Sequence, residues 1–422
     1  MVTEPLRGVA VDTNRSPRVT SIDALRGLVM FTMIFVNDLA GVSHDIVPDW
    51  MRHFHGKSGM TFVDMVFPGF LFIVGMSIPF ALGGRLRKGE PMWRILLHVV
   101  VRTVSLLAIG IMMVNDEQPG SDMSGLSPTV WAVLMYLSAM LAFCMVSPPG
   151  AKKEARPWRI VSWILRAIGL AGMVTLAFLF RGDKGQRILA LSPFVIHTDW
   201  YGILGLIGWA YLVGSIVYLL FRTNATALLG CAALLLCCYP ADKAGVFDGL
   251  FLSRYVGIGE TLGSQAAITV GGILLASILV SSGTTNLWMR TRFALLFIAG
   301  CAAAALLVNG LYGINKNEAT PSWCLWACVF TGALWLAFHL MCDSGSPPRV
   351  ARVLAIAGAN VLLAYLLSEM LPSFLDLTHL GNWYDALGDK SLFAGIARSA
   401  GCAAVLLCIT AGLNRLGFRL AI

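Results

Sequence analysis

The chain has 422 residues, of which 57% are hydrophobic and 13% charged, and its mean hydropathy is +0.75. That balance excludes a soluble globular protein. The formal net charge of +8 would suggest nucleic acid in a soluble domain, but the basic residues here fall in short breaks between apolar runs and form no basic–aromatic strip, so no nucleic-acid partner is expected.

The apolar runs are close to the ~20 residues a helix needs to cross a hydrocarbon core. They do not alternate, which argues against a membrane β-barrel. Only helices and closed barrels satisfy their backbone in lipid, so the expected fold is an all-α, polytopic integral membrane helix bundle. Residues 1–20 are polar, carry Arg7, Arg15 and Arg18, and hold no apolar core of a cleaved signal peptide, so they read as a cytoplasmic tail. Residues 21–422 read as one transmembrane domain. About twelve candidate spans follow, near 24–43, 60–82, 93–114, 127–147, 160–180, 201–221, 224–240, 262–281, 292–312, 322–342, 351–371 and 394–416. With the N-terminus inside, Lys and Arg sort about two to one toward the inner segments, which predicts cytoplasmic N- and C-termini. The ten cysteines lie in or beside apolar runs, spaced neither as a disulfide framework nor as a zinc site, and are expected to be small buried residues. No metal is expected.

In chain order, Asp23 and Arg26 open the first span and Asn37 and Asp38 close it. The stretch from His53 to Ser77, HFHGKSGMTFVDMVFPGFLFIVGMS, then runs from a polar loop with two histidines into a helix with Asp64 in its first turn. An ionisable group in a spanning helix costs about 2.5–3.5 kcal/mol on insertion scales and is by default a functional hypothesis. The bland alternative is that Thr61-x-x-Asp64 is a capping box and Asp64 only satisfies backbone N–H groups. The short loop makes the first two helices antiparallel neighbours, so Asn37, Asp38, His53, His55 and Asp64 are expected to converge at the outer face. Pro68 has no N–H for the Asp64 carbonyl, and a kink or opening is expected there.

Near the inner face, His98 and Arg102 are four residues apart and share a helix face. Arg102 reads equally as a snorkelling side chain or a phosphate ligand. Further on, Trp200 reads as an interfacial anchor, and GINKNEATPSW as an outer loop entering a helix at Pro321. Asn360 reads as an interhelical hydrogen-bond former, Glu369 lies near an outer helix end, and His339 has no evident partner.

SIDALRGLVMFTMIFVND, GMTFVDMVFPGFLFIVGMS with His53 before it, INKNEATPSWCL and GANVLLAYLLSE together resemble the transmembrane acyltransferase family of heparan-α-glucosaminide N-acetyltransferase, as a bacterial member of an uncharacterised branch. The resemblance implies transfer of an acetyl group from cytosolic acetyl-CoA to an amino sugar or envelope glycan amine at the periplasmic face of the inner membrane, and it is compatible with a homodimer. It implies His53 as the catalytic histidine, with His55 as the alternative, and Asn37 as its partner. Acetyl transfer requires a base for the acceptor amine, and a histidine titrates in the right range. Asn37 would donate to a developing oxyanion, and Asp64 would orient the ring. Direct transfer and an acetyl-histidine intermediate both fit. Arg26, His98 and Arg102 are candidates for the CoA phosphates. The same span count also fits an amino-sugar transporter, although no inverted repeat is visible and the polar residues sit at the faces rather than the midplane.

Overall fold

The computed structural model describes residues 19–421 apart from 118, 121–122, 150–155, 184, 192–193, 199, 281–285 and 344. Most of the expected tail, with Arg7, Arg15 and Arg18, therefore lies outside the described residues. The helices are α1 (Thr20–Leu39), α2 (Val66–Arg87), α3 (Met92–Asp116), α4 (Pro128–Ala142), α5 (Arg156–Leu179), α6 (Gly202–Phe221), α7 (Ala225–Lys243), α8 (Ala266–Val280), α9 (Leu287–Tyr312), α10 (Pro321–Cys342), α11 (Arg349–Ala357), α12 (Val361–Leu377), α13 (Gly381–Gly388) and α14 (Leu392–Arg415). The protein is an all-α multi-pass membrane protein. The minor exceptions are two short antiparallel ribbons, one pairing Cys144–Val146 with Phe418–Leu420 and the other Leu189–Leu191 with Phe194–Ile196.

Among the described residues, ten helical segments are long and apolar enough to cross a membrane. They correspond in order to ten of the expected spans. A π-helical turn, Ile258–Gln265, runs into α8, and α11 joins α12 through the 3-10 turn Gly358–Asn360, so each pair counts as one segment. The other two expected spans are also helical but differ in kind. α1 is 20 residues long and carries Asp23, Arg26 and Asp38, whereas α4 stops after 15 residues at Ala142, where the chain turns into a ribbon.

The centre of the bundle is the α2–α8 pair. About two thirds of the apolar stretch of α2 is buried, and 78% of that of the segment containing α8, against 11% for α7 and for α9. Small residues permit the close approach that packing in lipid requires. A Cβ on Gly75 would stand 1.9 Å from the Thr269 carbonyl oxygen, and one on Gly272 would stand 2.1 Å from that of Phe72. Thr269 Oγ1 completes the seam by donating to the Leu71 carbonyl at 3.1 Å. The α1–α11 crossing repeats the device, with Gly27 against the Leu354 carbonyl and Gly358 against that of Asp23.

Polar contacts separate the two ends of the bundle. At one end Arg26 donates to Ser77, Ser21 to Asp343, and Leu420 N–H to Asn360. At the other, Asn37 meets Glu369, Asp38 meets Arg398, and His53 meets Asp64 and Lys316. These are called the Asp23 end and the Asp64 end below.

Three local expectations change. Pro68 falls in the first turn of α2, where no N–H is required, so it breaks no helical hydrogen bond; the proline inside α2 is Pro79. His339 has a partner after all, since its Nδ1 lies 2.6 Å from Asp343 Oδ2 one turn later while Trp335 stacks on its ring. Of the cysteines, Cys144, Cys324, Cys328 and Cys342 are buried, but Cys237 and Cys408 face outward on α7 and α14, where an apolar thiol suits a lipid-facing surface as well as a core one.

Candidate active site

The site at the Asp64 end is built by two loops. In the first, between α1 and α2, the ring of Phe54 lies over Gly56 and Gly59, where a Cβ would stand 2.5 Å from it. A side chain at either position would displace the ring, and Gly59 also has a positive φ of 158°. The second loop joins α9 to α10. It is stiffened by Asn315, whose side-chain oxygen accepts from the N–H groups of Asn317 and Glu318, and by Thr320, whose hydroxyl accepts from Asn315 N–H at 3.0 Å. The loops are tied together by Gly59 N–H donating to the Ile314 carbonyl at 2.9 Å and by Ile314 N–H donating to Ser58 Oγ at 3.0 Å. This brings Lys316 to the histidine loop across more than 250 residues of sequence.

Asp64 is the centre of the arrangement and is 2% exposed. Its Oδ2 accepts from Thr61 N–H at 3.0 Å and from Phe54 N–H at 3.1 Å. Its Oδ1 lies 2.8 Å from His53 Nδ1 and 3.8 Å from Lys316 Nζ. The Thr61 contact is one half of a capping box. The other half is missing, because Asp64 N–H donates to the Thr61 carbonyl at 3.2 Å rather than to the hydroxyl, which itself donates to the Arg52 carbonyl. Asp64 thus holds a backbone turn and a histidine ring at once. The His53 side chain is 43% exposed, with Nδ1 turned to the buried carboxylate. Such a carboxylate fixes the ring and favours the tautomer in which Nδ1 carries the proton and Nε2 presents a lone pair. Lys316 Nζ stands 3.1 Å from the same Nδ1. Burial pushes the Lys316 ammonium below the usual lysine range, opposed in part by the neighbouring Asp64 charge.

The other expected residues take separate places. His55 is exposed and makes no side-chain hydrogen bond among the described residues. Asn37 does not meet the His53–Asp64 pair; its Nδ2 donates to Glu369 Oε1 at 2.9 Å. Asp38 is taken by α13 and α14: Tyr384 and Ser399 donate to its two carboxylate oxygens at 2.6 Å each, and Arg398 Nε donates to Oδ2 at 3.2 Å. At the Asp23 end, Arg26 Nη1 pairs with Asp23 at 3.0 Å. Arg102 lies 4.7 Å from the ring centre of Tyr211, and His98, one turn earlier on α3, is half-buried.

Two cavities lie between the two ends of the bundle. One, of about 250 Å³, is lined by Arg102, Asn360, Met30, Phe70 and Tyr365. The other, of about 290 Å³, is lined by Asn37, Asp116, Glu117, Tyr136 and Glu369. They adjoin, with Ile203, Leu204 and Tyr365 as walls of both, Arg102 on one and Asn37 on the other. Asn360 sits in the break between α11 and α12, is 5% exposed, and its Nδ2 has no hydrogen-bond partner among the described residues. No group of three or more His, Cys, Asp or Glu suited to a metal ion occurs among the described residues.

Sequence reasoning missed Lys316, which it placed only in a polar loop, and the pairing of Asn37 with Glu369. The signal for Lys316 was faint: a lysine between two asparagines, just before a proline-started helix, with nothing to say which loop it faced.

Comparison with known proteins bears out the family resemblance. The chain is 35% identical to human (Homo sapiens) heparan-alpha-glucosaminide N-acetyltransferase over 101 residues, covering 24% of the chain and 14% of the enzyme. It is 34% identical to the Mus musculus enzyme over 108 residues, covering 25% of the chain and 16% of that enzyme. The matched segment thus spans about a seventh of the length of these relatives. A family model described as a domain of unknown function, DUF5009, matches residues 18–245, more than half of the chain, and the protein belongs to that family.

Proposed function

We propose that this protein is a membrane-embedded acetyltransferase that moves an acetyl group from acetyl-CoA to the amine of an amino sugar or envelope glycan. The observation that carries the reading is the His53–Asp64 pair, a half-exposed imidazole whose inner nitrogen is held by a buried carboxylate. An amine nucleophile must lose a proton to attack a thioester, and a positioned imidazole is the usual group to take it. His53 Nε2 is the base in this reading, and Asp64 orients the ring and stabilises its charged form. Asn37 lines the cavity that also holds Glu369, and in this reading its amide turns from Glu369 to the reacting carbonyl when the donor is bound.

The residues present suit the donor. A CoA thioester supplies the activated acetyl group and carries it on a long arm with amide bonds and a charged phosphate end. The cavity beside Arg102 is largely apolar, and the one beside Asn37 is mixed, with Asp116, Glu117 and Glu369 in its wall. Arg102, with Arg26 nearer the same end, offers positive charge for phosphates, and His98 beside them offers a ring N–H. The unpartnered Asn360 Nδ2 offers a donor for an amide carbonyl. In this reading the Asp23 end, with Arg26, Arg85 and Arg87, faces the cytoplasm and the Asp64 end faces the periplasm of a bacterial inner membrane.

The test is to incubate purified protein with labelled acetyl-CoA and glucosamine. The parent and His55→Ala transfer label, His53→Ala does not, and all three remain folded by thermal denaturation in detergent. Label transfer that survives removal of both histidines overturns the proposal.

A further inference from the structure

His53 Nδ1 has two neighbours that cannot both be satisfied by the same proton arrangement. Asp64 Oδ1, at 2.8 Å, is an acceptor and requires a proton on Nδ1. Lys316 Nζ, at 3.1 Å, is a donor while charged and requires Nδ1 to be bare. An ammonium and an Nδ1–H present only hydrogens to each other. The proton therefore sits on one side or the other, and the choice decides what the outer face of the ring offers. With Nδ1–H on Asp64, Nε2 is a base. With the Lys316 ammonium on Nδ1, the ring proton moves to Nε2 and the outer face is a donor.

We propose that Lys316 is a positioning residue that selects the tautomer of His53, so that His53 is a competent base only when Lys316 is uncharged or has turned toward Asp64. The inference rests on the reading of His53 as the base, and it goes beyond that reading by giving the histidine a control element from a loop distant in sequence.

The surroundings suit the role. The α9–α10 loop is stiffened by Asn315 and Thr320, which fixes the Lys316 backbone where Nζ reaches both Nδ1 and Asp64 Oδ1. The other acid on that loop, Glu318, is engaged elsewhere: Lys243 Nζ lies 3.7 Å away and Tyr239 donates to it at 3.1 Å. Asp64 is therefore the carboxylate facing Lys316, and its Oδ1 lies 3.8 Å from Nζ. A small swing toward that oxygen releases Nδ1. Burial of the amine also favours loss of its proton, which moves the switch toward the accessible pH range.

The experiment uses full-length protein labelled with ¹⁵N at histidine, with His53→Gln assigning the ring signals, and reads the tautomer directly beside acetyl-transfer rates from pH 6 to 10. In the parent, the His53 signal shifts from Nε2–H toward Nδ1–H as pH rises above the imidazole titration, and the rate climbs in two steps. Lys316→Met, similar in length and without a donor, gives Nδ1–H throughout the neutral range and a single step. Lys316→Arg, permanently charged, holds Nε2–H and lowers kcat by about tenfold or more at every pH, within the range expected for disabling a general base. Identical His53 tautomers in the parent, Lys316→Met and Lys316→Arg overturn the proposal. The tautomer readout needs no turnover, so it fails separately from the acetyltransferase reading, which falls if His53→Ala keeps full transfer activity.

Discussion

Replacing Asp64 by asparagine separates its two roles. The shape is kept, and the amide oxygen can still accept from Thr61 and Phe54 N–H at the Oδ2 position, which lie at 3.0 and 3.1 Å. Both bonds lose their charge assistance, and hydrogen bonds to charged groups contribute about 1.5–3 kcal/mol against about 1 kcal/mol for neutral ones. Two such losses, lessened because the amide is cheaper to bury than the carboxylate, give a destabilisation of about 1–3 kcal/mol. The other side of the amide is an NH₂ placed where Oδ1 lies 2.8 Å from His53 Nδ1. It donates to Nδ1, forces the ring proton onto Nε2, and removes the outward lone pair. The expected fall in kcat is about 10²–10⁴-fold, the range for a disabled general base. Thermal denaturation in detergent reads the first effect, and acetyl transfer at saturating donor reads the second. A variant that loses stability as expected but keeps kcat within about threefold would show that Asp64 is a structural cap and that the histidine works without it.

Three further outcomes follow from other parts of the bundle. Arg398→Ala leaves Asp38 nearly buried without its cation, the two side chains being 4% and 11% exposed, and costs about 3–5 kcal/mol; equilibrium unfolding reads it, and donor binding to the folded fraction stays at the parent level. Gly75→Ala drives a methyl group against the Thr269 backbone at the centre of the α2–α8 seam, and the cost is about 1–3 kcal/mol or more because backbone rather than a flexible side chain must yield; the melting temperature should fall well below that of a Gly300→Ala control, where nothing lies within 4 Å. For Lys316 the sign of the pH effect is fixed. Its pKa is lowered by folding, so between the folded and the unfolded values the unfolded chain binds more protons, and stability rises with pH through that window. Lys316→Met should flatten the rise, measured as melting temperature between pH 7 and 10, whereas an equal rise in both proteins would mean that another group supplies it.

The fold was legible because lipid makes the sequence pattern strict. Each apolar run of membrane length had to be a helix; all twelve are helical, and ten are long and apolar enough to cross a membrane. What the pattern did not reveal was depth and pairing. α4 reads as a span by composition but ends at Ala142, because Cys144–Val146 is claimed by Phe418–Leu420 some 270 residues later. Pro68 looked like a break because the helix seemed to begin at Thr61, whereas a 3-10 turn over Val63–Met65 delays α2 to Val66. The His53–Asp64 pair was legible because both residues lie on one loop and the next turn. The companions of Asn37 and Asp38 were not. Glu369, Arg398 and Tyr384 lie more than 300 residues away, and a single sequence offers no signal for contacts at that range.

The position of Asp64 follows from the same physics that makes it useful. A carboxylate within a lipid-spanning segment costs about 2.5–3.5 kcal/mol unless its surroundings replace water. A continuous helix cannot supply that replacement, since beyond its first turn the backbone N–H groups are already bonded to carbonyls one turn back. At the entry to α2 the N–H of Thr61 is free, and the loop folded around Gly56 and Gly59 presents the N–H of Phe54 as well. These two donors satisfy Oδ2 and leave Oδ1 to face the solvent-side ring of His53. A buried acid that served only as a cap would have no reason to keep a half-exposed imidazole at 2.8 Å and an ammonium at 3.8 Å on its second oxygen. The division of labour between the two oxygens, backbone on one and titratable groups on the other, distinguishes this junction from an ordinary helix start.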